Sequence, residues 1–345
     1  MFNYIFIIWL SILPLVFFKS VFEGSKVFVF WIGCITLIIY WLTSIRKKIF
    51  QLINKWDLFY WLWISILVIS SLRSDDPMNS IIGGVYRHQG AIFFIGLWLV
   101  GKTIKLLNKK QTKLLLRCLS TTLLIESLLI IVQKVSGIYL LNGRPMGTFG
   151  EPNAVAGFLS ITPFISTNIP LNLIALIAIL LTQSRAGLLA FTVIIIIKYF
   201  AKKTKIILAT LAIVAVIFMG FLRPLNTGYK FEDRSVFNKL AITAIAKKPL
   251  IGYGPETTSK IFEAEFKNDG INLGNFMVDR SHNLVLDLLL WSGIFGTAFF
   301  LVWLFGNWNK FALGIIIFSF VQPFGVIHWI LLFLMLHFNL QKNEQ

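Results

Sequence analysis

Charge is scarce in this sequence. Only 14% of its 345 residues are charged, where a soluble domain carries about a quarter. Acidic residues are the scarcer sign, fifteen against thirty-two basic ones. Histidine occurs four times and cysteine twice. Cys34 and Cys118 each lie inside an apolar run, away from any loop that could hold a disulfide or a metal, so both read as packing residues. There is no phosphate-binding P-loop, no zinc spacing and no nucleophile elbow. The net charge of +17 does not point to nucleic acid, because the lysines stand in short clusters between apolar runs, which is a topogenic pattern.

What the sequence has in quantity is apolar length. It is 57% hydrophobic, with 33 Phe and 11 Trp. A helix needs about 20 mostly apolar residues to cross a bilayer. Candidate runs lie near 2–18, 27–44, 56–72, 89–105, 114–135, 153–168, 169–183, 185–200, 205–222, 282–304, 310–322 and 324–340. The expected fold is therefore all-α: a polytopic integral membrane protein of about twelve spans, with residues 1–345 forming one transmembrane domain. The first run has no basic region before it and no small-residue cleavage pattern, so it is expected to be a retained span.

Basic clusters follow the second run (Arg46, Lys47, Lys48, Lys55), the fourth (Lys102, Lys105, Lys109, Lys110, Lys113) and the eighth (Lys198, Lys202, Lys203, Lys205). All three fall on one side, which the positive-inside rule makes the cytoplasm. Both termini are then expected to be cytoplasmic. The odd-numbered connections face out, and they hold the unusual chemistry. The longest, 223–281, contains seven of the acidic residues and nine basic ones. It is too long for a passive connector. From Ser235 to Ala246, Phe237, Leu240, Ala241, Ala244 and Ile245 share one helical face, and a second amphipathic piece carries Ile261, Phe262 and Phe266. Between them "GYGPE" reads as a turn at Gly252 and Gly254.

The polar candidates sit in these outer segments. Arg185, in "TQSRAG", is either a headgroup-seeking arginine or an anion ligand, since its planar fork suits phosphate. Arg234 either pairs with Glu232 or Asp233 or serves a site. His282 follows Ser281, a good N-cap, which puts it in the first turn of the tenth span, where the helix dipole favours an anion. Arg144 and Asn153 lie in "GRPMGTFGEPNAVAGF", where Asn153 can cap the sixth span, and Arg87 and His88 share another outer loop. Asp75-Asp76 could be an acidic metal pair, but "DDPMNS" suits a turn with a helix cap better. Glu126 and Asp287 stand inside apolar runs, where ionisable groups are functional suspects by default.

The ordered set "RPMGTFGEPNAVAGFL", "TQSRAG", "KKPLIGYGPE" and "SHNLVLDLLLWSGIFG" resembles the O-antigen ligase family, within the ligase and polymerase superfamily of bacterial envelope glycans. The likeness runs over about residues 70–305. It implies a GT-C-like membrane glycosyltransferase in the bacterial inner membrane. Such an enzyme moves a glycan from undecaprenyl pyrophosphate to an acceptor hydroxyl on the outer face, with inversion, no metal and no cofactor. In the ligases the acceptor is lipid A-core; other acceptors are lipid or polysaccharide. The family's functional arginines match Arg185 and Arg234, and its histidine matches His282. Arg144, Arg87, Asn153 and Arg280 are the further candidates for holding the donor. A repeat-unit polymerase and a protein O-oligosaccharyltransferase are close alternatives. A lipid-linked flippase is the alternative from another class, though a transporter should place its charges near the midplane.

Overall fold

The computed structural model describes residues 2–17, 23–45, 53–199, 234–268 and 278–338. Among them the chain is helical apart from one small ribbon. In order come α1 (Phe2–Ile12), continued by a 3₁₀ turn (Leu13–Leu15), α2 (Gly24–Tyr40), continued by a π turn (Trp41–Ile45), α3 (Asp57–Leu72), α4 (Pro77–Ile82), α5 (Ala91–Lys105) and α6 (Lys109–Ser136). The ribbon pairs β1 (Leu140–Leu141) with β2 (Arg144–Pro145). Then follow α7 (Pro152–Leu159), α8 (Thr162–Ile165), α9 (Ile169–Thr182), α10 (Arg185–Tyr199), α11 (Arg234–Lys247), α12 (Thr258–Asn268), α13 (Leu284–Gly306), α14 (Ala312–Ser319) and α15 (Val326–His337).

Among the described residues three stretches are long and apolar enough to cross a membrane alone: Gly24–Thr43, Lys109–Ser136 and Leu284–Gly306. Five shorter apolar helices accompany them. The run at 153–168 is broken into α7 and α8, with Pro163 seated at the start of α8, where its missing N–H costs nothing. The last two runs yield α14 and α15, of eight and twelve residues. At about 1.5 Å per residue neither reaches the ~30 Å of a hydrocarbon core by itself. The ninth run and the tail 341–345 lie outside the described residues.

The large aromatic content fills the centre. Trp63, Trp303, Trp329, Phe94 and Phe300 are fully buried where α3, α5, α13 and α15 meet. Their rings pack edge to face or tilted, with Trp63 and Phe300 centroids 4.6 Å apart. Buried polar tips find partners: Tyr60 Oη donates to Phe94 O at 2.7 Å, and Trp63 Nε1 to Ser292 Oγ at 3.3 Å.

One reading of the basic clusters needs correction. Lys102 is not a surface charge; it is fully buried, with Nζ 2.5 Å from Asp57 Oδ2. Trp98 Nε1 and the backbone N–H of Asn54 donate to the same carboxylate. A buried pair satisfied in this way ties α3 to α5 and makes no statement about sidedness. Lys105, Lys109, Lys110 and Lys113 remain exposed, so the cluster keeps its sign without Lys102.

α13 is interrupted. Gly293 has φ 60° and ψ −167° within an otherwise helical run, a conformation open essentially only to glycine. The break frees backbone groups, and the segment after α11 takes them up. Tyr253 N–H donates to Leu290 O at 2.7 Å and Gly254 N–H to Trp291 O at 2.9 Å. In return Ile294 N–H donates to Pro249 O at 2.8 Å and Phe295 N–H to Leu250 O at 3.3 Å. Irregular backbone among apolar helices survives only when each freed group is satisfied in this manner. The expected turn at Gly252 and Gly254, both left-handed, is what delivers those donors. On either side of it α11 buries Phe237, Leu240, Ala241 and Ala244, and α12 buries Ile261, Phe262 and Phe266, the faces read from sequence.

Candidate active site

The candidate residues gather at one end of the bundle, and long-range bonds bring them there. Glu23, just before α2, accepts from Val326 N–H at the start of α15, 2.7 Å away. Gln89, just before α5, donates to Phe324 O at 3.0 Å and accepts from Trp329 Nε1 at 3.2 Å. Arg87 and Gln89 meet the segment before α13, and Arg144 meets the starts of α7 and α10. Thus α2, α5, α7, α10, α13 and α15 all begin at this end. Each N-terminus carries roughly half a positive charge, even where side chains such as Glu23, Ser184 and Asn283 take up some of its N–H groups. The end is therefore a natural place for an anion.

The first group surrounds the junction of α9 and α10. Gln183 ends α9 in a left-handed conformation, φ 54°. Ser184 Oγ then accepts from Gly187 N–H at 3.3 Å, and Arg185 opens α10 half-buried. Arg144 reaches this junction from β2: its Nε donates to Thr182 O at 2.7 Å and an Nη to Asn153 Oδ1 at 2.8 Å. Asn153 Nδ2 passes the contact on to Glu151 at 3.0 Å. The sequence reading has Asn153 capping this helix, but it does not: Glu151 holds the N-cap position of α7 and Pro152 follows it. With Arg144 and Glu151 both claiming its amide, Asn153 joins the loop to the α9–α10 junction.

The second group surrounds the start of α13. Arg87 is buried, its Nε 2.6 Å from Asp279 Oδ2. Burial works against the Arg87 charge, but Asp279 and Glu23, with Glu151, more than restore it and hold the proton tighter than usual. For Asp279, burial favours the neutral form, while Arg87, Arg280 and His282 pull the carboxyl down to about 2, below its ordinary 3.8. A depressed carboxylate stabilises the fold above its unfolded pKa and loses that contribution as pH falls through the folded one. The pair should thus be intact at pH 5 and fail only near pH 2. Thermal unfolding in detergent checks this: the deficit of Asp279→Asn should be the same at pH 7 and pH 5.

Arg280 is 1% exposed. It lies 2.5 Å from Glu256 Oε1 and 3.4 Å from Gln89 Oε1, with its guanidinium 4.7 Å above the Trp291 ring. These partners make it a brace between the segment before α12 and the broken part of α13. His282 stands two residues on. It is not in the first turn of α13, and Ser281 is not the cap. Asn283 caps, accepting from Val285 and Leu286 N–H, while Ser281 bonds the buried Asp287 through both Oγ and N–H. "Ser-His-Asn" holds two cap-competent residues, and Asp287 claims the first. His282 is left in the loop at φ 62°, its ring stacked on Phe237 at 5.7 Å. Phe237 lies one turn into α11, the helix that Arg234 opens. The Arg234 side chain is outside the described residues.

The two groups touch electrically through Glu151, which neighbours Asn153 and acts on Arg87. Arg144 and Asn153 are thus bonded beside Arg185, Arg87 and Arg280 are held before α13 beside His282, and the Glu151 charge acts across the interval between the two groups. Backbone strain marks the same places. Among the described residues the left-handed non-glycines are His88, Gln183, Glu256 and His282 here, and Tyr139 and Asn142 in the ribbon. Such strain persists where surrounding structure enforces it, commonly at functional sites. Sequence reasoning missed Glu23, Gln89, Glu256 and Asp279 as the groups that hold the basic residues. Of the acidic suspects, Asp76 caps α4 through Asn79 N–H and bonds Lys260 at 2.7 Å. Glu126 bonds Thr148 through its Oε1 and Oε2. Among the described residues no cluster of His, Cys, Asp or Glu is arranged to hold a metal.

Residues 170–301 match the family described as O-Antigen ligase, so the resemblance read from the sequence stands. The matched region includes Arg185, Arg234, Arg280 and His282; Arg87, Arg144 and Asn153 precede it. A ComP-specific O-oligosaccharyltransferase of Acinetobacter baylyi is 27% identical over 183 residues, covering 45% of this chain and 33% of the relative. The chain thus spans about a third of the length of that curated relative.

Proposed function

We propose, on the footing that residues 170–301 carry an O-antigen ligase domain, that the protein is a membrane glycosyltransferase of twelve spans. It moves a glycan from undecaprenyl pyrophosphate to an acceptor hydroxyl on the external face of the bacterial inner membrane. The observation that carries this reading is the pair of basic groups, Arg144 beside the α9–α10 junction and Arg87 with Arg280 beside His282, at an end where helix N-termini converge. Arg185 and Arg234 hold the pyrophosphate and balance charge on the departing oxygen. Preorganised electrostatics of this type is often the largest catalytic contribution. His282 takes the proton as the acceptor oxygen bonds the anomeric carbon and the carbon–pyrophosphate bond breaks. A single displacement of this kind inverts the anomeric centre and needs no metal.

Arg144 is committed to Thr182 O and Asn153, so it shapes the donor end instead of acting on the leaving group. Arg144→Ala should slow transfer less than Arg185→Ala in a purified assay with lipid-linked donor; the reverse order would move the site. The acceptor is an envelope lipid or polysaccharide. A protein acceptor is the second reading, favoured by the similarity to the ComP-specific O-oligosaccharyltransferase of Acinetobacter baylyi. A polymerase differs in its product. Deleting a ligase leaves full-length polymer on the carrier, whereas deleting a polymerase leaves single repeat units.

A further inference from the structure

The ribbon after α6 exposes apolar side chains that the described residues leave largely open, with the Phe17 ring meeting Tyr139 at 6.3 Å. Tyr139 is 63% exposed, and Ile138 and Leu141 stand beside it. Their position is fixed. β1 and β2 join through Asn142-Gly143, both left-handed, the preferred chemistry for a tight hairpin turn. Lys134 Nζ donates to Gly143 O at 2.9 Å, and Gln133 bonds Met146 and Gly147 through both ends of its amide. The hairpin is therefore braced on the last turns of α6, and the depth of α6 sets its depth.

α6 supplies that depth. Ile125, Leu128, Val132 and Val135 are exposed and follow one another by three or four residues, so they form a single stripe. Exposure rises to 84% at Val135, where the stripe runs into Ile138 and Tyr139. Towards the other end the stripe continues through Thr121 to Arg117, also exposed. Arg117 and Val135 are eighteen residues apart, about 27 Å at 1.5 Å per residue, close to the ~30 Å hydrocarbon core. With Arg117 at one boundary, Val135 reaches the opposite one and the hairpin falls at headgroup level. Apolar residues with a tyrosine and a lysine are the composition that this layer selects.

We infer that the hairpin 137–144 is an interfacial anchor, seated in the headgroup layer of the leaflet on the site side. Its occupant is the bilayer itself. The anchor sets the level of Arg144, whose guanidinium continues from β2 to the α9–α10 junction. A lipid-linked pyrophosphate lies in that same layer, so the hairpin aligns the donor end of the site with its substrate.

The test needs no transferase activity, so its failure is distinct from failure of the glycosyltransferase reading. Bimane is attached at Tyr139→Cys, and separately at Ile138→Cys, in a chain carrying Cys34→Ala and Cys118→Ala. Each is placed in nanodiscs holding one copy. Nitroxide on the lipid headgroup should quench both labels strongly, nitroxide near the acyl end less, and aqueous iodide weakly. Leu128→Cys marks the deep case and Glu263→Cys the aqueous one. Iodide quenching equal to that at Glu263→Cys, with no lipid quenching, would overturn the anchor. So would protection from iodide without lipid quenching, which assigns the patch to a protein surface.

Discussion

Arg185→Ala should slow glycan transfer by the purified protein about 10²–10³-fold, the loss expected from removing one charge-stabilising donor. The expectation rests on place. Arg185 opens α10 beside a left-handed Gln183, next to the carbonyl that holds Arg144. Arg185→Lys keeps the charge but loses the planar fork, so it should recover only part of the rate. His282→Ala should cost about 10²–10⁴-fold if the imidazole moves the proton, and Arg234→Ala should resemble Arg185→Ala. Membrane level and unfolding temperature are measured alongside, because Arg185 is half-buried and its loss must not be mistaken for misfolding. Transfer at the wild-type rate by a well-folded Arg185→Ala protein would remove it from the site.

Gly293→Ala should give little or no folded protein. An added methyl would lie 2.3 Å from the Leu250 carbonyl, and the backbone angles there are open only to glycine. The strain alone is worth about 1–3 kcal/mol. Relaxing it would pull apart as many as four backbone bonds, each about 1 kcal/mol net and more where the freed groups stay buried. Ile294→Ala, at the next and exposed position, is the control and should be near neutral. Size-exclusion profiles and thermal unfolding in detergent decide the matter. A Gly293→Ala protein as stable as the control would mean that the break is incidental.

How much of this was legible depends on separation along the chain. Apolar length gave the helical membrane class, and periodicity gave the buried faces of α11 and α12. The "DDPMNS" cap and the "GYGPE" turn followed from local chemistry. Partners far apart left no such trace. Glu23 with Val326, Arg87 with Asp279 and Gln89 with Arg280 are joined across 303, 192 and 191 residues, and nothing periodic connects them. Lys102 misled because its partner Asp57 sits 45 residues earlier, inside another apolar run. The break at Gly293 was hidden because one glycine in a long apolar run is commonly tolerated by a helix. The Asn142-Gly143 turn was readable, but its strands are two residues long, too short to show alternation.

The exchange of backbone bonds between Pro249–Gly254 and the gap in α13 fixes a count as well as a shape. Both ends of the segment are pinned, Pro249 and Leu250 to Ile294 and Phe295, Tyr253 and Gly254 to Leu290 and Trp291. Only Ile251 and Gly252 lie between them. A single added residue there would put every later donor out of step with its acceptor, much as a slipped register does in a sheet. The stretch has the composition of a surface connector, yet in length it should be as invariant as a core strand. Tags, protease sites and fusion points belong elsewhere in the chain, and alignments of relatives should find no gap at these six positions.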